Sequence, residues 1–318
     1  MLFRLSILFS TFAFICSVHA QNFPDKPIRI VVPFAPGGGT DVVARAIAPK
    51  MSELLGVPVV IVNQPGAGGS TGTEIVSRAP ADGYTILLVS SSTAINHTLD
   101  KNISWSLSKD FAPIVLILYN QSFLVAHPSV PVNTVAELLA LAKKEPKLLS
   151  YASAGPGSSS HLGMELFKMM SNAEILHVPY KGAGPAMNDL VGGQVNVMLS
   201  DISVILPQVK AGKVKVLGIG SPQRFSATPE VPTISEAGIT GFEVSGIIGF
   251  VAPTGTPAIA IQKINAAANE AIKDPVIRER LLSLAMVIMG GTPERLADVL
   301  QKEIKKWADV IASAKLKN

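Results

Sequence analysis

Cysteine is almost absent from this sequence of 318 residues, because Cys16 is the only one. A lone cysteine excludes an internal disulfide, and thiolate catalysis and Cys-ligated metals have little support. Histidine is scarce as well, at five residues, and no two histidines stand three or four positions apart. No Asp-rich calcium loop is present either. The sequence therefore predicts no metal and no cofactor.

The sequence also has little excess of positive over negative charge and few aromatic residues. The formal net charge is +4, the basic residues are spread along the chain, and aromatic residues make up 6% of it. A nucleic-acid-binding surface concentrates Lys and Arg and interleaves them with aromatic rings. The composition therefore predicts no nucleic-acid partner.

No apolar run is long enough to span a membrane, which takes about 20 residues. The longest one, at residues 5–16, follows Arg4 and precedes the small-residue stretch VHA at residues 18–20. This pattern is typical of a cleavable signal peptide, here residues 1–20, cut after Ala20. Ile15 precedes Cys16 where a lipoprotein signal has a small residue, so simple cleavage and secretion are expected.

The remaining chain alternates strand-like and helix-like segments. Apolar runs at residues 28–32, 57–62 and 85–89 predict strands, and the spacing of apolar residues over 42–55 predicts a helix. Helix starts are indicated by Thr134 with Glu137, by Asp274 before Pro275, and by a Thr-Pro pair that opens a long amphipathic helix over 292–314. This order predicts an α/β fold with parallel strands covered by helices.

A weak internal duplication divides the chain. APGGGTD at residues 35–41 corresponds to AGPGSSSH at 154–161, PGAGG at 65–69 to KGAGP at 181–185, and the strand end LLVS at 87–90 to VMLS at 197–200. The three pairs occur in the same order, each at a junction of strand and helix. They predict two lobes of one design, facing each other across a cleft lined by loops at the carboxyl ends of their strands.

The Gly-rich loops suit an anion. Backbone N–H groups at a helix start are unpaired and lie at the positive end of the helix dipole, and glycine lets a ligand approach them closely. Residues 37–39, 66–69 and 155–160 have this character. Neither the dinucleotide fingerprint nor the P-loop occurs, so nucleotide phosphates are disfavoured.

One motif supports an enzyme instead. GGSTG at residues 68–72 satisfies G-x-S-x-G, with Ser70 in the position of a hydrolase nucleophile. A triad in hydrolase order needs a later histidine, and the last one is His177. A secreted serine hydrolase is therefore the alternative hypothesis.

Three single residues have more than one interpretation. His161 starts a helix and either hydrogen-bonds a ligand or has a capping or packing role. Asp41 lies in a first helical turn, where the helix dipole alone accounts for an acid. Asp201 follows a strand at a ligand-binding edge, where it can hold a water, receive a ligand ammonium or bridge the lobes.

Several longer runs resemble one known family: PIRIVVPFAPGGGTD, VVIVNQPGAGGSTG, APADGYTILL, YASAGPGSSSHLG, VPYKGAGPAMNDLVGGQV and VPTISEAG. Together they look like the Bug family, also called the TctC family, the extracytoplasmic solute receptors of tripartite tricarboxylate transporters. The resemblance covers essentially the whole chain after the predicted signal.

The resemblance implies a type II periplasmic binding protein, with two doubly wound α/β lobes and a ligand cleft between them. Residues 21–122 together with 250–318 are expected to form lobe 1, and residues 123–249 lobe 2. The crossing strands are expected near 120–126 and 246–252, with the C-terminal helices returning to lobe 1.

The resemblance also implies a function without covalent chemistry or catalytic residues. A small carboxylate, such as a dicarboxylate, tricarboxylate, amino acid or aromatic acid, docks on lobe 1, and closure of lobe 2 presents it to membrane permease subunits. A monomer is expected in the periplasm, and a sensor module remains an alternative. The residues implied at the ligand are Phe34, Ala35, Gly39, Asp41, Ala67, Gly68, Gly69, Ser90, Ser91, Gly157, Ser158, His161, Tyr180 and Asp201.

Overall fold

The computed structural model describes residues 23–99, 102–146, 148–225, 228–284 and 286–313. The predicted signal peptide and Cys16 lie outside the described residues. Within those ranges, no helix combines the length and the apolar character that crossing a bilayer requires.

Strands and helices alternate along the first two thirds of the chain, as the apolar pattern predicts. The described strands are β1 Ile28–Val32, β2 Val59–Asn63, β3 Thr85–Ser90, β4 Phe111–Ala126, β5 Ser150–Ser153, β6 Leu176–Pro179, β7 Val197–Asp201, β8 Lys215–Ile219, β9 Ser245–Pro253 and β10 Val287–Ile288. The described helices are α1 Gly39–Leu55, α2 Ser70–Ser77, α3 Ser91–Leu99, α4 Val135–Lys144, α5 Ser159–Ser171, α6 Ala183–Val191, α7 Ile202–Lys210, α8 Ala258–Ala271, α9 Pro275–Ser283 and α10 Pro293–Ser313.

Each lobe is built on three parallel strands in the same order. In lobe 1, β1 lies between β2 and β3 and is parallel to both. In lobe 2, β5 lies between β6 and β7 and is again parallel to both. A helix follows every one of these strands. The two lobes therefore share one design, which confirms the duplication predicted from the sequence.

The long strand β4 joins the two sheets. It pairs antiparallel with β9 from Phe111 to Gln121, and from Ser122 onward it pairs with β7. Strand β9 also pairs with β3, so it borders the parallel strands of lobe 1. The predicted crossing segments fall within β4 and β9, while the residue boundaries of the lobes stay a prediction.

Capping residues set the starts of the later helices. The Thr134 side chain accepts a hydrogen bond from Glu137 N at the start of α4. Asp274 accepts hydrogen bonds from two backbone N–H groups at the start of α9, with Pro275 as its first residue. Both predicted starts are confirmed.

The C-terminal helices pack on lobe 1. Helices α8 and α9 contact α1, and α10 contacts α3 and β4. The predicted apolar stripe of α10 faces the core, with four of its members buried and two half-buried: Leu296, Leu300, Trp307 and Ile311, then Val299 and Ile304. Burial of this stripe anchors α10 beside α3, whose first residues belong to the site described next.

Candidate functional site

A cavity lies where the two lobes meet. Its empty space measures about 560 Å³, part of which is open to solvent. Both lobes and both long strands contribute to its wall. The lining residues are Phe34, Gly38, Gly39, Thr40, Ser90, Ser91, Ser92, Asn120, Ser122, Ala154, Ser158, Ser159, Ser160, Ala183, Leu199, Ser200, Asp201, Gly246, Ile247 and Ile248.

Five helices begin at this wall. Helices α1 and α3 start there from lobe 1, and α5, α6 and α7 start there from lobe 2. The first N–H groups of each helix lack intrahelical partners, and each start is the positive end of a helix dipole. None of the described lining residues is Lys, Arg or His. The wall therefore attracts an anion through backbone groups and dipoles, without a basic side chain.

The Asp41 side chain is hydrogen-bonded to the Gly-rich loop at residues 37–39. Its Oδ2 accepts hydrogen bonds from Gly37 N at 3.0 Å and Arg45 Nε at 2.9 Å, and its Oδ1 accepts one from Asn63 Nδ2 at 2.9 Å. Burial by itself raises the pKa of this carboxyl group, but the hydrogen bonds from Arg45, Gly37 and Asn63 outweigh burial and lower the pKa. Asp41 is therefore an ionised anchor for the loop and is absent from the cavity wall.

The second loop meets lobe 2 at the rim of the cavity. Gly68 has φ +61°, and a Cβ there would overlap the carbonyl oxygen of Pro156. The Asn96 amide donates a hydrogen bond to Gly68 O at 3.1 Å. Ala67 and Gly69 flank this contact, with Gly69 against the Phe34 ring.

Two stacked imidazoles support the lobe 2 loop. The rings of His161 and His177 are 4.2 Å apart and nearly parallel. Nδ1 of His161 lies 3.1 Å from Gly157 N, which donates to it, and Nε2 of His177 lies 2.6 Å from Ser153 Oγ. Burial lowers the pKa of both imidazoles, that of His177 to about 4. Both rings are therefore neutral near pH 7, as the acceptor role of His161 Nδ1 requires.

The Tyr180 side chain contacts its own lobe, lobe 2, and not the cavity. Its hydroxyl group donates to Asp189 Oδ2 at 2.7 Å, and burial with this bond raises the pKa of Tyr180 to about 12. Tyr180 is not among the cavity-lining residues. Ala35 lies at the rim, where a Cβ on Gly182 would come within 3.1 Å of it.

Of the residues implied at the ligand, six line the cavity: Phe34, Gly39, Ser90, Ser91, Ser158 and Asp201. Gly68, Gly157 and Ala35 form rim contacts between the lobes, and Asp41, His161 and Tyr180 support loops.

Ser91 connects the cavity to the C-terminal helix. Its hydroxyl group donates to Glu303 Oε2 at 2.5 Å and accepts from Ile247 N at 3.1 Å. Trp307 Nε1 donates to the same Glu303 oxygen at 3.0 Å. The three side chains are buried, so α10 fixes the orientation of a residue in the cavity wall.

Sequence reasoning missed the residues that the long strands contribute. Asn120 and Ser122 come from β4, and Gly246 with Ile247 comes from β9. No Gly-rich loop or helix cap marks them. A run of three polar residues, at 120–122, in an otherwise largely apolar 16-residue strand is the one sequence signal, and it points only to the β4 residues.

Ser70 lacks the surroundings of a nucleophile. Its Oγ accepts a hydrogen bond from Trp105 Nε1 at 3.2 Å, and no histidine in the described ranges is hydrogen-bonded to it.

Asp201 faces Gly39 across the cleft so closely that a methyl group on Gly39 would overlap its Oδ2.

The lobes touch at several points along the rim of the cavity, as in the closed form of a binding protein. Ser159 N donates to Ser92 Oγ across the cleft at 3.0 Å, and a Cβ on Gly184 would lie 2.9 Å from Pro36 O. Two α/β lobes that close over a small polar cavity define a solute-binding protein. The chain belongs to the tripartite tricarboxylate transporter receptor family, TctC, whose model matches residues 43–316.

Solved structures agree with this assignment. The periplasmic binding protein BugD has a TM-score of 0.90 at 36% identity, over 93% of this chain and 99% of BugD. MatC from Rhodopseudomonas palustris, with bound malate, has a TM-score of 0.88 at 35% identity, over 91% and 100%. An R. palustris protein with adipate has a TM-score of 0.90 at 31% identity, over 93% and 99%. The predicted family and the two-lobed binding-protein fold are confirmed, and the receptor hypothesis holds over the hydrolase.

Proposed function

We propose that this protein captures a small carboxylate in the periplasm by lobe closure and delivers it to the permease of a tripartite tricarboxylate transporter. The observation that carries the proposal is the convergence of five helix N-termini on one cavity with no basic side chain in its described wall. Similar proteins hold malate and adipate, which are small carboxylates.

The ligand contacts follow from the geometry of the wall. A carboxylate docks on the N–H groups that open α1, at Gly39 and Thr40, beside Phe34. Ser90 extends this dock within lobe 1, Ser91 lines the cavity beside it, and Ser158 and Asp201 approach from lobe 2. Ala35, Ala67, Gly68, Gly69 and Gly157 shape the rim, while Asp41, His161 and Tyr180 hold the loops in place.

Closure requires that the ligand bind the closed form better than the open form. The two moving bodies are residues 21–122 with 250–318, and residues 123–249, joined through β4 and β9. The closed form is then the one that the permease recognises. Residues 1–20 act as a cleaved signal, and the receptor works as a monomer without catalytic residues, metal or cofactor.

Thermal shift and calorimetry with dicarboxylates, tricarboxylates, amino acids and aromatic acids test the proposal. We expect at least one class to stabilise the protein and to bind with 1:1 stoichiometry. A complete absence of binding across the panel would refute carboxylate capture.

A matched pair of variants then tests the dock. A Cβ on Gly39 would meet Asp201 and Ser203 Oγ of the opposite lobe, whereas a Cβ on Gly38 makes only ordinary contacts of 3.7 Å and longer. Gly39→Ala should weaken ligand binding while the protein stays folded, and Gly38→Ala should bind almost normally. Equal affinities for the two variants would exclude this loop as the dock.

A further inference from the structure

Asp201 places an acidic side chain in a cavity whose backbone groups attract anions. It is the only ionisable side chain among the described lining residues, and it lies at the start of α7 without making a capping hydrogen bond. No described residue donates a hydrogen bond to its carboxyl group. A ligand that carried only carboxylates would place a second negative charge next to it.

Further acceptors in the wall lack donors. Asn120 Oδ1 is buried, with the residue 5% exposed, and this acceptor has no hydrogen-bond partner among the described residues. Ser90 Oγ is buried and unpartnered in the same way, but as a hydroxyl group it can either donate or accept. The Ser91 proton is committed to Glu303, so the Ser91 oxygen offers the cavity only a lone pair. A buried acceptor without a partner is unfavourable, so Asn120 Oδ1 requires a donor from whatever fills the cavity, and Ser91 Oγ can accept one as well.

Several charged side chains on the neighbouring helices α1, α5 and α6 have partners of their own. Asp41 and Arg45 bind each other on α1, which packs against α7, and Glu165 binds Lys168 on α5. Asp189 on α6 accepts the Tyr180 hydroxyl group. Among the described residues, none forms an ion pair with Asp201, and the pKa of its carboxyl group is raised by burial without an opposing contribution from a cation.

We propose that Asp201 makes this receptor select carboxylates that also carry a hydrogen-bond donor, an ammonium group first and a hydroxyl group second, on the carbon chain. The inference rests on the proposed carboxylate capture and specifies its ligand class. Helix N-termini bind the carboxylate, and Asp201 with the unpaired acceptors of the wall receives the donor.

Protonation of Asp201 changes this selection in a defined direction. Burial raises the pKa of its carboxyl group to about 7. Below that pH the neutral group can itself donate to a second ligand carboxylate, so unsubstituted diacids bind better. Above it the ionised group only accepts, so the preference for an ammonium or hydroxyl group is strongest.

Calorimetry with diacids matched in length tests the inference. The ligands are L-aspartate, L-malate and succinate, then L-glutamate and glutarate, then aminoadipate and adipate. At about pH 8.5 we expect the amino acid to bind at least about tenfold tighter than the unsubstituted diacid of its length, with malate between. An unsubstituted diacid that binds as tightly as its amino and hydroxy partners would overturn the inference.

Asp201→Asn keeps the shape and removes the charge, and Asp298→Asn removes the same charge from an exposed position of α10. We expect Asp201→Asn to abolish the preference by tightening the unsubstituted diacids, and Asp298→Asn to leave it unchanged. A preference that survives in Asp201→Asn would also overturn the inference.

The pH dependence of the unmodified protein gives a second readout that does not depend on folding of a variant. We expect the preference to shrink about tenfold between about pH 8.5 and pH 5.5, and a constant preference would contradict the role of Asp201. Binding of unsubstituted diacids alone would refute only the selection, whereas binding of no carboxylate at all would refute the proposed function.

Discussion

Gly68→Ala is expected to weaken ligand binding by preventing the lobes from closing. A Cβ on Gly68 would overlap the Pro156 oxygen and would lie 3.0 Å from the carbonyl carbons of Pro156 and Gly157, all in the opposite lobe. These are backbone atoms, so they cannot move aside as a side-chain end can. In the open form the overlap disappears, so the cost falls on the closed form alone.

The magnitude follows from two separate terms. Placing alanine at φ +61° costs about 1–2 kcal/mol in either form. Overpacking of the closed form adds about 1–3 kcal/mol, which lowers the affinity roughly 5- to 150-fold. Only the second term enters binding, because the first is common to the free and bound protein.

Gly56→Ala is the matched control. Gly56 has φ +70° at the end of α1, and a Cβ there meets nothing within 4 Å. Both variants should lose a similar free energy of unfolding in the absence of ligand, measured by chemical denaturation. Calorimetry should then show the loss of affinity in Gly68→Ala only. Equal affinity in the two variants would mean that the lobes do not meet at Gly68 in the bound state.

Three further predictions concern buried groups. Glu303→Ala should lower the free energy of unfolding by roughly 2–6 kcal/mol, because it leaves the Ser91 hydroxyl group and the Trp307 N–H buried without an acceptor. Glu303→Gln keeps one acceptor and should cost less, and equal denaturation midpoints of the two variants would contradict this. Asp201→Asn should stabilise the closed form above pH 7 by up to roughly 4 kcal/mol and have no effect below the ordinary pKa of 3.8. Burial in the closed cleft raises the pKa of Asp201 to about 7, so the closed form loses stability as pH rises between those values, and identical stability of the two proteins at pH 8 would refute this. The pKa of His177 is lowered from 6.5 to about 4, first by burial, so stability that is fully present above pH 6.5 should fall as pH drops through 4. His177→Gln should flatten this pH dependence of the melting temperature, and an unchanged pH dependence would exclude His177 as its source.

The parts of the fold that could be predicted follow mostly from local sequence patterns, such as apolar periodicity and helix caps. Strand β1 and the helix after it follow from apolar periodicity and a Gly-rich turn, and the α4 start follows from Thr134 and Glu137. These signals involve residues a few positions apart, and the same local chemistry recurs in the second lobe. The duplicated order of strands could therefore be predicted from one sequence.

The roles of single polar residues could not be predicted in the same way. Asp41 and Asp201 both follow a strand and precede or open a helix, yet Asp41 is hydrogen-bonded on both oxygens whereas Asp201 has no described partner. Burial and partners come from Arg45, Asn63 and the opposite lobe. None of these is visible in the pattern around either aspartate.

The sequence by itself determined the two-lobed α/β design and the anion-binding character of its loops, because both depend on short-range periodicity and on backbone N–H groups at helix starts. Tertiary structure decided which side chains share the cavity. Ser91 meets Glu303 across 212 positions, and Gly39 meets Asp201 across the cleft. Such contacts depend on how the lobes close and how α10 returns to lobe 1, and the free energy of those arrangements resides in packing between segments that are distant in the chain.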